Sequence, residues 1–260
     1  MQVAAFKLRN FPDSVPGIAQ DWYDNPVQRL AVTRLSEYSP SADGACRASF
    51  GDGSVGFVKP RPDHAGSLVV CNEKIAADLG HVLHLPVAPV VVREVMVGTE
   101  WVRMTSMSLA CLAAGRHWGD GPLAVSAETA AGLEALRVFW TWIGDEDHSG
   151  HPANLLYEMK TGGPQFLAID HSYAFGHGGG EALTFAASGG YGAHDHEIAG
   201  VARLAAIADI EALDWRVVER IVNRLVGKAM SNHDGERILR WLETRRSVLR
   251  SLLKVGAANG

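Results

Sequence analysis

"TWIGDEDHSGHPANLLYE" spans residues 141–158, and "FLAIDHSYAFG" follows at 166–176. Each stretch passes from apolar residues to an acid beside a histidine, Asp147-His148 in the first and Asp170-His171 in the second. Asn154 lies between them. "NLLYEM" and "PQFLAID" read as two short strands joined by a Gly162-Gly163 turn. Such a hairpin returns the second acid to the side of the first loop. Asp170 ends a buried strand, where an ionised acid needs a partner. Three readings compete: the magnesium-binding half of a phosphotransferase, a metallohydrolase, or two ordinary polar loops.

Upstream, "SAETAAGLEALRVFWTWIG" (126–144) predicts a helix capped by Ser126, with a stripe of Leu133, Leu136, Phe139, Trp140 and Ile143. Its aromatic residues, Trp142 included, read as core. "VAPVVVREVMVGTEWVRMTSM" (87–107) reads as strand, Gly98-Thr99 turn and strand. "SLVVCNEKIAADLGHVLHL" (67–85) has the spacing of a helix. "CRASF" and "SVGFVK" alternate around a Gly51-Asp52-Gly53 turn, which predicts a hairpin that Pro60 and Pro62 end. Residues 28–39 contain strand-like pieces, and residues 1–25, with no clear period, read as an extended arm.

Downstream, a loop rich in glycine and histidine runs from about 176 to 196. Helices follow, including "DWRVVERIVNRLVGKAM" and "GERILRWLETRRSVLRSLL", and the tail "KVGAANG" reads as loose. The arginines at 237, 240, 245, 246 and 250 read as the solvated face of the last helix. The class is α+β. A β-rich part with one helix (1–107) precedes a mostly helical part (108–260), with no linker between them.

The 260 residues suffice for a sizeable core. A net charge of −5 and a pI near 6.1 give no nucleic-acid footprint. Cys46, Cys71 and Cys111 are far apart and odd in number, which argues for buried thiols in a reducing cytoplasm. No secretory signal opens the sequence, and no apolar run approaches the roughly 18 residues of a membrane span.

A phosphotransferase site needs a cation for the ATP phosphates, a carboxylate to fix it, oxygen ligands for magnesium and a base for the acceptor hydroxyl. The chain offers each in order. Lys59 ends a strand after glycines, and Glu73 lies early in the next helix. Asp145, Asp147, His148 and Asn154 share one loop, and Asp170 ends a strand. Singly, most have plainer readings: Lys59 a solvated strand end, Glu73 a first-turn helix acid, Asn154 a turn residue.

The run "FVKP … NEKIAADLGHVLHLPVAP … VFWTWIGDEDHSGHPANLL … FLAIDHSYAFG" resembles the HipA-like kinases, in particular small bacterial HipA-like kinase-domain proteins. More distantly it resembles the phosphoinositide 3/4-kinase fold. The resemblance covers roughly residues 40–180. It implies a two-lobed, protein-kinase-like fold binding ATP and magnesium. Lys59 would contact phosphates and Glu73 would pair with Lys59. Asn154 and Asp170 would hold magnesium, and the acceptor would be a hydroxyl, protein Ser or Thr favoured. The family's catalytic loop reads Asp-Arg-His-x-x-Asn. Here His151-Pro152-Ala153-Asn154 keeps the second half, but Ser149 and Gly150 replace Asp and Arg. Asp147 is the base if the loop carries a two-residue insertion; Asp145 and His148 are substitutes. A catalytically degenerate nucleotide-binding module is the alternative.

The metallohydrolase reading rests on Asp147-His148, His151, Asp170-His171, His177, His194-Asp195 and His196. Gly150 and Pro152 oppose a helix through His148 and His151, and "SGGYGA" before His194 is loop composition.

Overall fold

Apolar residues at helical spacing after residue 67 do form a helix, and the alternating stretches around it form strands. The computed structural model describes residues 15–29, 32–38, 46–51, 55–59, 68–97, 100–107, 116–117, 127–145, 148, 154–160, 163–176 and 196–253. The elements are α1 (Val15–Asp24), β1 (Val27–Arg29), β2 (Val32–Tyr38), β3 (Cys46–Phe50), β4 (Val55–Lys59) and α2 (Val69–Val82). Next come β5 (Val90–Val97), β6 (Glu100–Met107), β7 (Arg116–His117), α3 (Ala127–Ile143), β8 (Leu155–Lys160) and β9 (Gly163–Ala168). The chain closes with α4 (His196–Ala212), α5 (Trp215–Asn223) and α6 (Asn232–Leu252).

Two sheets result, in a mixed α/β fold. The six-stranded sheet runs β1-β5-β6-β4-β3-β2, and the three-stranded sheet runs β7-β8-β9. The expected hairpins β3–β4, β5–β6 and β8–β9 are all antiparallel pairs. The extended arm is corrected: residues 15–24 are a helix, and Pro16 sits at its second position, where a missing N–H costs nothing. Among the described residues, the first part therefore carries two helices, not one. β1 pairs in parallel with β5, a long-range match that local pattern does not announce.

α2 and α3 are buried nearly all round, as a helix at the centre of a core must be. One apolar cluster runs from Val70 and Leu79 on α2 through Phe139 on α3 and Phe166 on β9 to Leu242 on α6. The sheets are tied where the chain leaves α2. Ala168 donates its N–H to Pro86 O at 2.7 Å, and Ala88 donates to Ala168 O at 2.8 Å. Gly80 permits this approach, since a Cβ there would lie 2.7 Å from Val87 Cβ. The last two helices start on side-chain caps: Asp214 accepts from Arg216 N–H at 3.0 Å, and Ser231 from Asp234 N–H at 3.1 Å.

The arginines of α6 are less solvated than their spacing predicts. Arg245 is buried, and its Nε and Nη2 donate to Thr141 O at 2.8 and 2.5 Å. Arg237 donates to Phe175 O at 3.0 Å, and Arg246 to Glu211 O. Only Arg250 pairs at the surface, with Glu211, among those with described ion pairs on this helix.

Candidate functional site

The antiparallel register of β8 and β9 runs from Leu155↔Ala168 to Lys160↔Gly163. Residues just before β8 and just after β9 therefore share one end of the hairpin. Asn154 and Asp170 are those residues, and Ile169 donates its N–H to Asn154 O at 2.9 Å. Both side chains are partly exposed. Asp170 has φ +63°, in the left-handed region that costs a non-glycine residue about 1–2 kcal/mol. Ser172 Oγ donates to Asp170 Oδ1 at 2.8 Å. An acid held in a strained backbone at the mouth of a buried strand is the kind of outlier that marks a functional position.

α2 grips the turn that follows. Glu73 is buried in its second turn rather than its first, and Oε2 accepts the backbone N–H of His171 at 3.2 Å. Asn72 Nδ2 donates to Ser172 O at 2.9 Å and to Ala174 O at 3.0 Å. Two adjacent polar residues of one helix thus hold three backbone groups beside Asp170. Sequence reasoning passed over Asn72. Its signal is a side-chain amide in an otherwise buried helix, which must find partners.

Lys59 ends β4, with Thr105 opposite it on β6; its side chain lies outside the described residues. Asp147 lies outside them too, as do His151, His177, His194 and Asp195. The substitute bases are fully buried: His148 Nδ1 lies 3.1 Å from Asp145 Oδ2. His148 stacks on Trp140 at 4.4 Å between ring centroids and lies 4.6 Å from the ring of His171. Trp140 Nε1 donates to His171 Nε2 at 3.3 Å. Trp140 is core, as its spacing predicts, and it also fixes the histidine next to Asp170.

α6 sets both loops from behind. Gly144 (φ +68°) opens the loop after α3, and Gly176 (φ +72°) ends the turn after β9. A Cβ on either would lie 2.5 Å or 2.7 Å from the ring of Trp241. Trp241 Nε1 donates to Ile143 O at 3.1 Å, and Phe175 N–H donates to the same carbonyl at 2.8 Å. A small apolar cleft of about 50 Å³, lined by Leu85, Ala135 and Ala206, shares no residue with these groups.

No family model matches this chain, and no curated protein does. Among the described residues, no helix is long and apolar enough to cross a membrane. A solved structure from Helicobacter pylori, described as the proinflammatory kinase CtkA, matches 89% of this chain and 100% of its own. The TM-score is 0.63 and the sequence identity 10%, so the likeness is one of fold: the architecture described above is similar to that of a kinase.

Proposed function

We propose that this chain is a HipA-like, two-lobed phosphotransferase that moves the γ-phosphoryl group of ATP to a hydroxyl, a protein Ser or Thr being the favoured acceptor, in the cytoplasm. The observation that carries it is the hairpin β8–β9, which sets Asn154 beside Asp170. An amide oxygen and a carboxylate are oxygen donors of the kind magnesium takes alongside phosphates. Bound magnesium would supply charge neutralisation between phosphate groups. Lys59, at the end of a central strand, would meet the phosphates. Glu73 would serve both Lys59 and the turn after Asp170, so that cation and metal ligand keep one spacing. Asp147 would orient or deprotonate the acceptor. Positioning and preorganised charge would supply most of the rate. The fold likeness to a kinase supports the same reading.

The hydrolase alternative needs a metal with an open coordination position. The His/Asp group among the described residues, Asp145, His148 and His171, is buried on all three members. Such burial supports a closed group rather than an open catalytic centre.

The test is calorimetric titration with a non-hydrolysable ATP analogue, with and without magnesium. Wild type is expected to bind in a magnesium-dependent way. Asp170→Asn, which tolerates the left-handed backbone, is expected to lose at least about tenfold in affinity. No binding by wild type refutes the reading. Magnesium-dependent binding of the analogue, with neither phosphoryl transfer nor hydrolysis when ATP itself is supplied, identifies the degenerate nucleotide-binding module instead.

A further inference from the structure

We infer that Asp145, His148 and His171 form a buried site for a transition metal of the zinc class, tying the loop after α3 to the turn after β9. The three residues come from two segments that the β8–β9 hairpin brings together. Each offers a ligand atom within 4.8 Å of the other two, and all three are buried.

The carboxylate of Asp145 carries the argument. It is fully buried, and neither of its oxygens receives a hydrogen bond. A carboxylate in that position needs a counter-charge or donors. What faces it is His148 Nδ1, 3.1 Å from Oδ2 but off the hydrogen-bond direction. An N–H proton shared between the two would align with that vector. Ligand atoms about 2.0 Å from one tetrahedral ion stand about 3.3 Å apart, and Asp145 Oδ2 and His148 Nδ1 are 3.1 Å apart.

Ligand chemistry narrows the ion. Two imidazoles and a carboxylate suit zinc and its neighbours rather than magnesium or calcium. The three residues supply three donor atoms, one each, to a tetrahedral ion. Entry of the ion sends any proton on His148 to solvent and takes the His171 Nε2 lone pair from the Trp140 indole N–H. One neutral hydrogen bond is lost and coordinate bonds are gained. The indole becomes a reporter, since Trp140 also stacks on His148. The ion would sit one residue behind Asp170 and stiffen the segment that presents it.

The full chain, grown with zinc and desalted, should retain about one zinc per molecule by elemental analysis. Asp145→Asn should hold less than about a tenth of that, and Asp170→Asn should hold all of it. Cobalt added to stripped wild type should give the intense visible bands of tetrahedral coordination and change tryptophan fluorescence, a measurement independent of whether Asp145→Asn folds. A wild type that neither retains zinc nor takes up cobalt overturns the site and leaves Asp145–His148 as a proton-held ion pair. Zinc kept by a folded Asp145→Asn, or lost by Asp170→Asn, overturns it equally. None of these outcomes depends on nucleotide binding, so the phosphotransferase reading stands or falls separately.

Discussion

Lys74 is wholly buried on α2, with Nζ donating to Asp78 Oδ1 at 2.6 Å and to Trp22 O at 2.8 Å. Arg224 reaches the other oxygen of Asp78, also at 2.6 Å, and both cations donate to carbonyls of α1, so α1, α2 and the end of α5 meet at this network. Burial pushes the Lys74 ammonium below its ordinary pKa, with Asp78 pulling the other way and Arg224 adding to the fall. The folded chain thus releases this proton before the unfolded chain does, and stability from this group rises with pH across that interval. Asp78→Asn should cost about 3–5 kcal/mol near neutral pH, because two cations lose their carboxylate. The deficit should shrink as pH rises towards about 10, where Lys74 can fold neutral. Urea denaturation at neutral and alkaline pH checks it; a deficit that is constant with pH refutes the account. None of this network was legible in the sequence, since Asp78 and Arg224 lie 146 residues apart. Asn154 and Asp170 were legible, because a hairpin is local and its two ends are fixed by its turn. The buried trio of Asp145, His148 and His171 was only half visible: its histidines stood out, but the acid beside them was read as a spare base.

At the scale of elements, α6 and the glycines against it make a second test. Gly144→Ala should destabilise by about 2–4 kcal/mol, part from the left-handed backbone and part from the Trp241 ring. In a Trp241→Ala background only the backbone part, about 1–2 kcal/mol, should remain. A double-mutant cycle by denaturant unfolding measures the difference; equal costs in both backgrounds would show that the ring contact carries nothing. The strongly patterned elements were readable: α2, α3, α6 and the three hairpins lie where periodicity puts them, while α5 ends at Asn223, short of the Met230 to which its stretch was read as helix. α1 was not, because ten residues containing Pro16 and Gly17 show too little period before Trp22 and the Tyr23 carbonyl meet their partners. The two residues of β7 are strand only because β8 offers an edge. α6 was readable as a helix but not in its contacts, since periodicity does not say which arginines will meet the carbonyls of a distant loop.

For the molecule as a whole, the contact between Gly80 and Val87 couples the two sheets. Gly80→Ala should cost about 1–3 kcal/mol by overpacking. It should also weaken magnesium-dependent nucleotide binding, because Val87 bridges Ala168, two residues before Asp170. Thermal unfolding and the titration above check the two parts; loss of stability with unchanged binding would uncouple them. The mixed α/β class was legible in the order of patterns along the chain. How the sheets meet was not, because it rests on a bridge between residues 87 and 168 that no local window contains. Trp241 has a consequence for the nascent chain. It lies about a hundred residues beyond Ile143, whose carbonyl it holds. Domains take shape as they are synthesised, N-terminal parts first. The hairpin and α2 can associate early, but Gly144 and Gly176 have no ring to close upon until α6 has left the ribosome. A chain stalled or clipped before residue 232 should resemble the finished protein in secondary structure and still lack the settled loops on either side of Asp170.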